Sequence, residues 1–144
     1  MTTHALTDKP NVVLQSEKTI DVVAPERIEN LCNADHTKAH LAITDAMNVL
    51  GGKWRIQILG VLSWGGKQRF TQLLKTVDGI GAKMLSKELQ DLEANKIITR
   101  TVKQTKPITV EYEMTEYGHS LNKVILEIVN WGLEHRNHIM KAEN

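Results

Sequence analysis

One predicted helix, in the stretch "GIGAKMLSKELQDLEANKIITR" (79–100), carries side chains that suit contact with a negatively charged partner. Its apolar side is marked by leucines spaced four and three residues apart, at Leu85, Leu89 and Leu92. At about 100° per residue, the group expected to project from the opposite side is Lys83, Ser86, Lys87 and Gln90. Lysine neutralises phosphates or reaches guanine, and glutamine can form two hydrogen bonds with adenine. A helix face that is only solvated shows the same pattern, so the neighbouring elements must be considered as well.

The elements around this helix predict a helix-turn-helix unit followed by a β-hairpin. Residues 69–77 form a short predicted helix, "DGIG" at 78–81 a tight glycine turn, and 82–95 the second helix. After this helix, apolar residues recur at every second position, in 97–104 and 109–114, instead of at helical spacing. This pattern predicts two antiparallel strands joined by a proline-containing loop. The second helix of such a unit can lie in the DNA major groove, with the hairpin as a wing beside it.

The remaining segments predict a mainly α protein with a small β-hairpin (α+β). A helix is predicted over about 40–50 and a strongly apolar, central helix over 53–64, each ended by a glycine pair. Thr115 is a good N-cap for a last helix over about 116–138. The segment before the first helix shows no sustained period, and we expect an arm that is partly disordered or contains a short helix. The predicted division is an arm at 1–38, a winged helix-turn-helix domain at 39–138 and a C-terminal tail at 139–144.

Charge is distributed unevenly along the chain. The net charge is only +1, but residues 51–110 contain eleven Lys/Arg and four Asp/Glu, a net of +7 that leaves −6 for the rest. This asymmetry favours a polyanionic partner for the middle block, although chance clustering on a solvated surface gives the same count. Arg69 begins the first helix of the unit, and the basic side chains of the hairpin are Arg100, Lys103 and Lys106.

The composition is that of an ordinary globular protein, with 41% hydrophobic and 24% charged residues. Cys32 is the single cysteine, so no intrachain disulfide is possible, and without a signal peptide we expect a reducing cytoplasm. The longest apolar runs, such as "ILGVL" at 58–62, are too short to cross a bilayer. Neighbouring positions supply no combination of nucleophile, base and orienting group, so we expect neither an enzyme nor a cofactor.

Cys32, His36 and His40 are spaced four residues apart and share one face if this segment is helical. Cysteine and histidine side chains can bind zinc or another thiophilic metal. The two ends of the set lie about 12 Å apart along a straight helix, which is too far for one ion without a bend. No metal site is therefore predicted, and a metal-responsive regulator is kept as an alternative.

The first and last helices carry more apolar surface than one buried stripe requires. We expect the excess to pack against a second copy of the chain, although burial against the chain's own domain gives the same pattern. The predicted dimer-interface residues are Leu41, Ile43, Met47, Leu121, Val124, Ile125, Ile128 and Trp131. Twofold symmetry would place two recognition helices about one DNA turn apart, so a pseudo-palindromic operator in double-stranded DNA is expected.

Several separate blocks of the sequence resemble the HxlR-type winged helix-turn-helix transcriptional regulators, across about residues 41–136. The blocks are "LGGKW" (50–54), "RFTQLL" (69–74), "GIGAKMLSKELQDLE" (79–93), "RTV" (100–102), "VEYEMTEYG" (110–118) and "WG" (131–132). The resemblance implies a homodimeric cytoplasmic DNA-binding protein, which we expect to be a repressor, with terminal helices that dimerise and a helix at 82–95 that recognises the groove. The predicted DNA-binding residues are Lys53, Arg69, Ala82, Lys83, Ser86, Lys87, Gln90, Lys103, Gln104 and Lys106.

Two positions depart from the family pattern. Many members carry a sensing cysteine shortly before the glycine pair, near the position of Leu41 in this chain, whereas Cys32 lies nineteen residues before Gly51. A response to a small molecule or a redox signal, with Cys32 as the sensing residue, is therefore a hypothesis. The family often has an arginine just before "VEY", where this chain has Thr109. A winged-helix module that binds proteins instead of DNA is the other alternative.

Overall fold

The structure, a computed structural model, describes residues 36–143. The chain divides into two compact units, residues 1–40 and 41–144, and of the first unit only residues 36–40 are described. The elements run in the order α1 (His36–Leu50), α2 (Arg55–Gly65), β1 (Gln68–Arg69), α3 (Phe70–Thr76), α4 (Ala82–Ala94), β2 (Ile98–Lys103), β3 (Thr109–Met114), a 3-10 turn (Gly118–Leu121) and α5 (Asn122–Ala142).

This order confirms the predicted fold class, a mainly α winged helix-turn-helix with a small antiparallel sheet. α1 begins at His36, so the end of the predicted arm forms its first turn, while residues 1–35 lie outside the described residues. α5 runs to Ala142, past the predicted end at 138. Residues 139–142 contain neither glycine nor proline, so no residue there stops the helix.

The sheet has three antiparallel strands in the order β1–β3–β2. β2 and β3 form the predicted hairpin, in a register that pairs every residue of one strand with a residue of the other. β1 was not predicted, and it adds Gln68 opposite Tyr112 on the other edge of β3. Two residues are too few to show an alternating pattern, so only the pairing reveals this strand. The hairpin of residues 98–114 is called the wing from here on.

Helix α4 is held on the core by the three leucines that its spacing predicted. The exposed fractions of Leu85, Leu89 and Leu92 are 0%, 1% and 0%. They belong to one cluster with apolar side chains from α2, α3, the sheet and α5. The outward face of α4 is therefore determined by what is buried behind it.

Two turns fix how the chain enters α4 and α5. Gly79 has a φ of +83° in the turn between α3 and α4, a conformation that glycine adopts without strain. After β3, the Thr115 hydroxyl donates to the carbonyl oxygen of Lys96 at 2.7 Å and accepts from the Gly118 N–H at 2.9 Å. Thr115 thus caps the 3-10 turn and not α5 itself, which corrects its predicted role. A Cβ atom at Gly118 would collide with the carbonyl oxygen of Ile97.

Gly118→Ala should lower the free energy of unfolding by about 1–3 kcal/mol, because the added methyl group must displace the backbone at Ile97. The matched control is Gly132→Ala, since a Cβ at Gly132 in α5 meets no atom within 4 Å. That substitution should raise the free energy of unfolding by about 0.5–1 kcal/mol, because alanine loses less backbone entropy than glycine in a helix. Urea unfolding at one fixed protein concentration measures both, and equal effects of the two substitutions would contradict the packing at Gly118.

Candidate nucleic-acid interface

The outer face of α4 presents the side chains that the spacing predicted. Lys83, Lys87 and Gln90 are exposed. Ser86, which lies between them, is half-buried. All four line one open depression of about 770 Å³, together with Met84, which is 40% exposed. Met84 was missing from the predicted set, although its position off the leucine stripe was a usable signal.

The N-terminus of α4 adds a second feature that attracts anions. Its N-cap residue is Gly81, which has no side chain to accept from the N–H groups of the first turn, and that turn contains no acidic residue. Such N–H groups and the positive end of the helix dipole favour a phosphate. Ala82, a predicted DNA contact, is exposed in this turn next to Lys83. A phosphate at this end can therefore be held by backbone and side chain together.

A cleft of about 430 Å³ lies between α4 and the sheet. Ser86, Gln90 and Glu93 line it from the helix, and Arg100 and Tyr112 line it from the strands. The fold thus brings the base of the wing next to the outer face of α4. Arg100 is exposed and joins the candidate contacts, from which it was missing. Its charge within the hairpin was visible in the sequence, but its position beside α4 was not.

Two lysines at the sheet share one carboxylate. The Nζ atom of Lys103 lies 3.3 Å from Glu111 Oε2, and the Nζ atom of Lys67 lies 3.9 Å from the same oxygen. Lys67 is also 3.7 Å from Glu113 Oε2. The Glu111 side chain is only 13% exposed, and within residues 36–143 its Oε2 accepts no hydrogen bond. Lys103, a predicted phosphate contact, is therefore partly neutralised by Glu111 in the free protein.

The tip of the wing keeps Gln104 and Lys106 exposed. Thr105 between them fixes the loop, because its hydroxyl donates to the carbonyl oxygen of Pro107 at 2.8 Å. The hydroxyl oxygens of Thr105 and Thr109 also lie 3.0 Å apart. In the described part of the chain, Lys106 forms no ion pair with a carboxylate. The positive charge at the tip is thus available to an anionic partner.

The two remaining predicted contacts lie on different elements. Arg69 is exposed at the end of β1, so it shares the sheet with Lys103, and its backbone N–H donates to Gln72 Oε1 at 2.8 Å at the start of α3. Lys53 precedes α2, and its Nζ lies 4.6 Å from the centre of the Trp54 ring, a cation–π contact. The structure therefore places Arg69 on the same sheet as Lys103, whereas the side chain of Lys53 contacts the neighbouring Trp54 ring.

Apolar side chains on α1 and α5 are exposed in the single chain. Six residues of the predicted dimer interface have exposed fractions between 43% and 65%: Leu41, Ile43, Met47, Val124, Ile128 and Trp131. Four further large apolar side chains of α5 are exposed as well: Leu126, Leu133, Ile139 and Met140. The structure corrects one of the other two members, because Ile125 is 2% exposed within the core of its own chain, and the remaining member, Leu121, is half-buried against that core.

The candidate sensing and metal-binding residues lie at the start of the described region or before it. Cys32 lies outside the described residues, whereas His36 and His40 are exposed on α1. Residues 36–143 contain no group of three or more His, Cys, Asp or Glu side chains that could hold a metal ion. Within the same range, no helix combines the length and the apolar character that a membrane span requires.

A helix-turn-helix whose second helix exposes two lysines beside a wing defines the class of winged-helix transcriptional regulators that bind DNA. The model of the HxlR-like helix-turn-helix family matches residues 49–140, and the chain belongs to that family. The predicted family is therefore confirmed. The contact residues named above stay predictions.

Known relatives and solved structures agree with this assignment. YtcD, an HTH-type transcriptional regulator of Bacillus subtilis (strain 168), is 37% identical over 102 residues, which cover 71% of this chain and 80% of YtcD. The crystal structure of YtcD matches with a TM-score of 0.63 at 39% identity, over 66% of this chain and 96% of that chain. The redox regulator HypR in its reduced form matches with a TM-score of 0.64 at 31% identity, over 69% and 98% of the two chains. Both proteins are named as regulators, the class that the fold of this chain defines.

Glu111→Gln should strengthen binding to random duplex DNA, because it releases Lys103, and in part Lys67, from a shared carboxylate. One lysine newly available to a phosphate should steepen the dependence of log K on log salt by about one unit. The control is Glu116→Gln, which removes the same charge from an exposed residue without an ion pair in the described range. A salt titration by fluorescence anisotropy measures both, and equal slopes for the two variants would contradict the role given to Glu111.

Proposed function

We propose that this protein is a homodimeric repressor that binds a pseudo-palindromic operator in double-stranded DNA and acts in the cytoplasm. The observation that carries the proposal is the exposed row of Lys83, Lys87 and Gln90 beside a basic wing. A row of cations and amides that is held outward on a helix has the chemistry and the shape to enter a major groove.

In this proposal α4 reads bases and the surrounding residues hold the backbone. Gln90 can form two hydrogen bonds with adenine, and Lys83 or Lys87 can reach guanine or a phosphate. Ser86, at the edge of the cleft, can donate to or accept from either. The proposed backbone contacts are Lys53, Arg69, Ala82, Lys103, Gln104 and Lys106. To contact a phosphate, Lys103 must break its ion pair with Glu111.

The homodimer is supported by the apolar side chains that α1 and α5 expose in the single chain. Monomeric proteins rarely leave so many large apolar side chains in contact with water on neighbouring turns of a helix. Burying a fully exposed large apolar side chain contributes about 1.5–3 kcal/mol, and although each of these is only partly exposed, together they give a second copy a favourable term of several kcal/mol. The same pairing gives the twofold symmetry that a palindromic operator requires. A dimer bound over a promoter would repress transcription by excluding the polymerase.

A redox or small-molecule signal is the second part of the proposal. HypR is described as a redox regulator and has been solved in oxidised and reduced forms, and YodB from B. subtilis has been solved in reduced and diamide-treated forms. Cys32 is the single cysteine of this chain, so oxidation to a disulfide needs a second thiol, from another chain or a small molecule, and an oxidant that accepts two electrons. Any effector would act by shifting the dimer between DNA-competent and incompetent arrangements.

Lys106→Ala should weaken binding to every duplex alike and reduce the salt slope by about one unit, because this wing lysine is proposed to touch only phosphate. Gln90→Ala should instead relax the preference at one base pair by about 1–3 kcal/mol and leave binding to random DNA unchanged. The measurement is anisotropy over a salt series, with an operator selected from randomised duplexes and a random duplex of equal length.

Three results of these titrations bear on the whole proposal. Identical effects of the two substitutions on random DNA would contradict the assigned roles. Absent or salt-independent duplex binding by the wild-type chain would favour the protein-interaction module. Release of DNA only when a divalent metal is added, lost on replacing His36 and His40, would favour the metal-responsive alternative.

Trp131→Glu should convert the dimer to a monomer, because it places a charge on the proposed apolar interface. Trp131 is 65% exposed in the single chain, so the substitution removes little packing from the core. The control is Tyr117→Glu, an aromatic residue that is 66% exposed but lies outside α1 and α5. Sedimentation equilibrium measures the mass of each variant, and a wild-type chain that is monomeric at micromolar concentration would refute the homodimer.

A further inference from the structure

Arg55, the first residue of α2, makes four hydrogen bonds that the proposed DNA contacts do not involve. Its Nε donates to Glu88 Oε2 at 2.6 Å, and one terminal nitrogen donates to Asp91 Oδ2 at 2.8 Å. The other terminal nitrogen donates to the carbonyl oxygens of Asn48 and Val49 at 2.9 and 3.0 Å. Glu88 and Asp91 belong to α4, and the two carbonyl groups lie at the end of α1. One side chain therefore joins α1 to the recognition helix.

The chemistry of Arg55 makes this junction directional. Its guanidinium is planar, so the donors that point at α4 and at α1 are fixed relative to each other. The side chains of Arg55 and Glu88 are 15% and 12% exposed, and an ion pair sheltered from water in this way is stronger than one on the surface. Asp91 is more open at 41% exposed. Lysine at this position would supply a single point charge and could not hold both helices in one geometry.

The buried leucines of α4 cannot supply this constraint on their own. Apolar burial has no preferred direction, so it holds α4 on the core but tolerates small rotations and shifts along the helix axis. Hydrogen bonds to base edges tolerate only small displacements of the helix, because they weaken steeply when they lengthen or depart from a straight geometry. A helix that is bound to the core but poorly oriented would keep its attraction to phosphates and lose its base contacts.

We propose that Arg55 is a positioning residue that fixes the angle of α4 against the end of α1 and thereby determines operator preference, while leaving general affinity for DNA unchanged. The inference rests on the proposed DNA-binding function. Since α1 also carries part of the proposed dimer interface, the same contact transmits the arrangement of the dimer to each recognition helix.

The sharpest test is Glu88→Gln. Loss of the negative charge and loss of the contact with Arg55 should change the affinity for the operator in opposite directions. Removing a carboxylate from α4 makes the helix more attractive to DNA, so a purely electrostatic effect would strengthen all binding. Loosening the contact with Arg55 should instead lower the preference for the operator. Glu116→Gln is the control, since it removes the same charge from an exposed residue after the wing. Arg55→Met and Arg55→Lys complete the series.

The quantity to measure is the ratio of the Kd for random duplex to the Kd for the selected operator, at one fixed salt concentration. We expect Arg55→Met to lower this ratio about tenfold, the value of one base contact, and Glu88→Gln to lower it by a smaller factor, because the glutamine oxygen still accepts a weaker, uncharged hydrogen bond from Arg55. Arg55→Lys should restore only part of it, and Glu116→Gln should leave it unchanged. A variant that was only less stable would lose affinity for both duplexes equally, so its ratio would stay the same.

An unchanged ratio in Glu88→Gln, with a wild-type chain that prefers its operator, would overturn this inference alone. Absence of duplex binding by the wild-type chain would overturn the proposed function and this inference with it. If Arg55→Met does not fold, Glu88→Gln still decides the question, because it preserves the volume of the side chain and the contact of Arg55 with Asp91.

Discussion

The burial of three leucines on one side of α4 is the interaction on which the rest of the surface depends. A fully buried leucine contributes about 1.5–3 kcal/mol, so turning Leu85 and Leu89 outward would forfeit several kcal/mol. The same rotation would carry Lys83 and Lys87 into the core, where an unpaired charge is far more costly. Both terms favour one rotation of the helix. The row of cations and amides on its outer face follows from that preference.

Local ion pairs reduce the positive charge that residues 51–110 offer to a polyanion. Three of its basic residues already have carboxylate partners in the structure: Arg55, Lys67 and Lys103. Among the described residues, the basic side chains without a carboxylate partner include Lys83 and Lys87 on α4 and Lys106 at the tip of the wing. Such pairing lowers general attraction to any polyanion, which leaves a larger share of the binding energy to oriented contacts with bases.

Helix α1 connects the two surfaces that the proposed function requires. Its exposed Leu41, Ile43 and Met47 face away from the core of the chain, and its last carbonyl groups accept hydrogen bonds from Arg55. In the proposed dimer, these apolar side chains would pack against the second copy, while the directional bonds at the end of the helix hold it to Arg55. A displacement of α1 would reach α4 through a single guanidinium, without any change to the DNA-contacting side chains.

The sequence by itself determined the elements and their faces. The spacing of Leu85, Leu89 and Leu92 and the alternation in 109–114 depend on local geometry, which each segment carries with it. Only the tertiary structure decided that Ile125 belongs to the core of its own chain and that Arg55 bonds to Glu88, 33 residues away. Periodicity shows which residues share a face, but the partner of that face is set by how distant segments pack. For the same reason β1 became visible only through its pairing with β3.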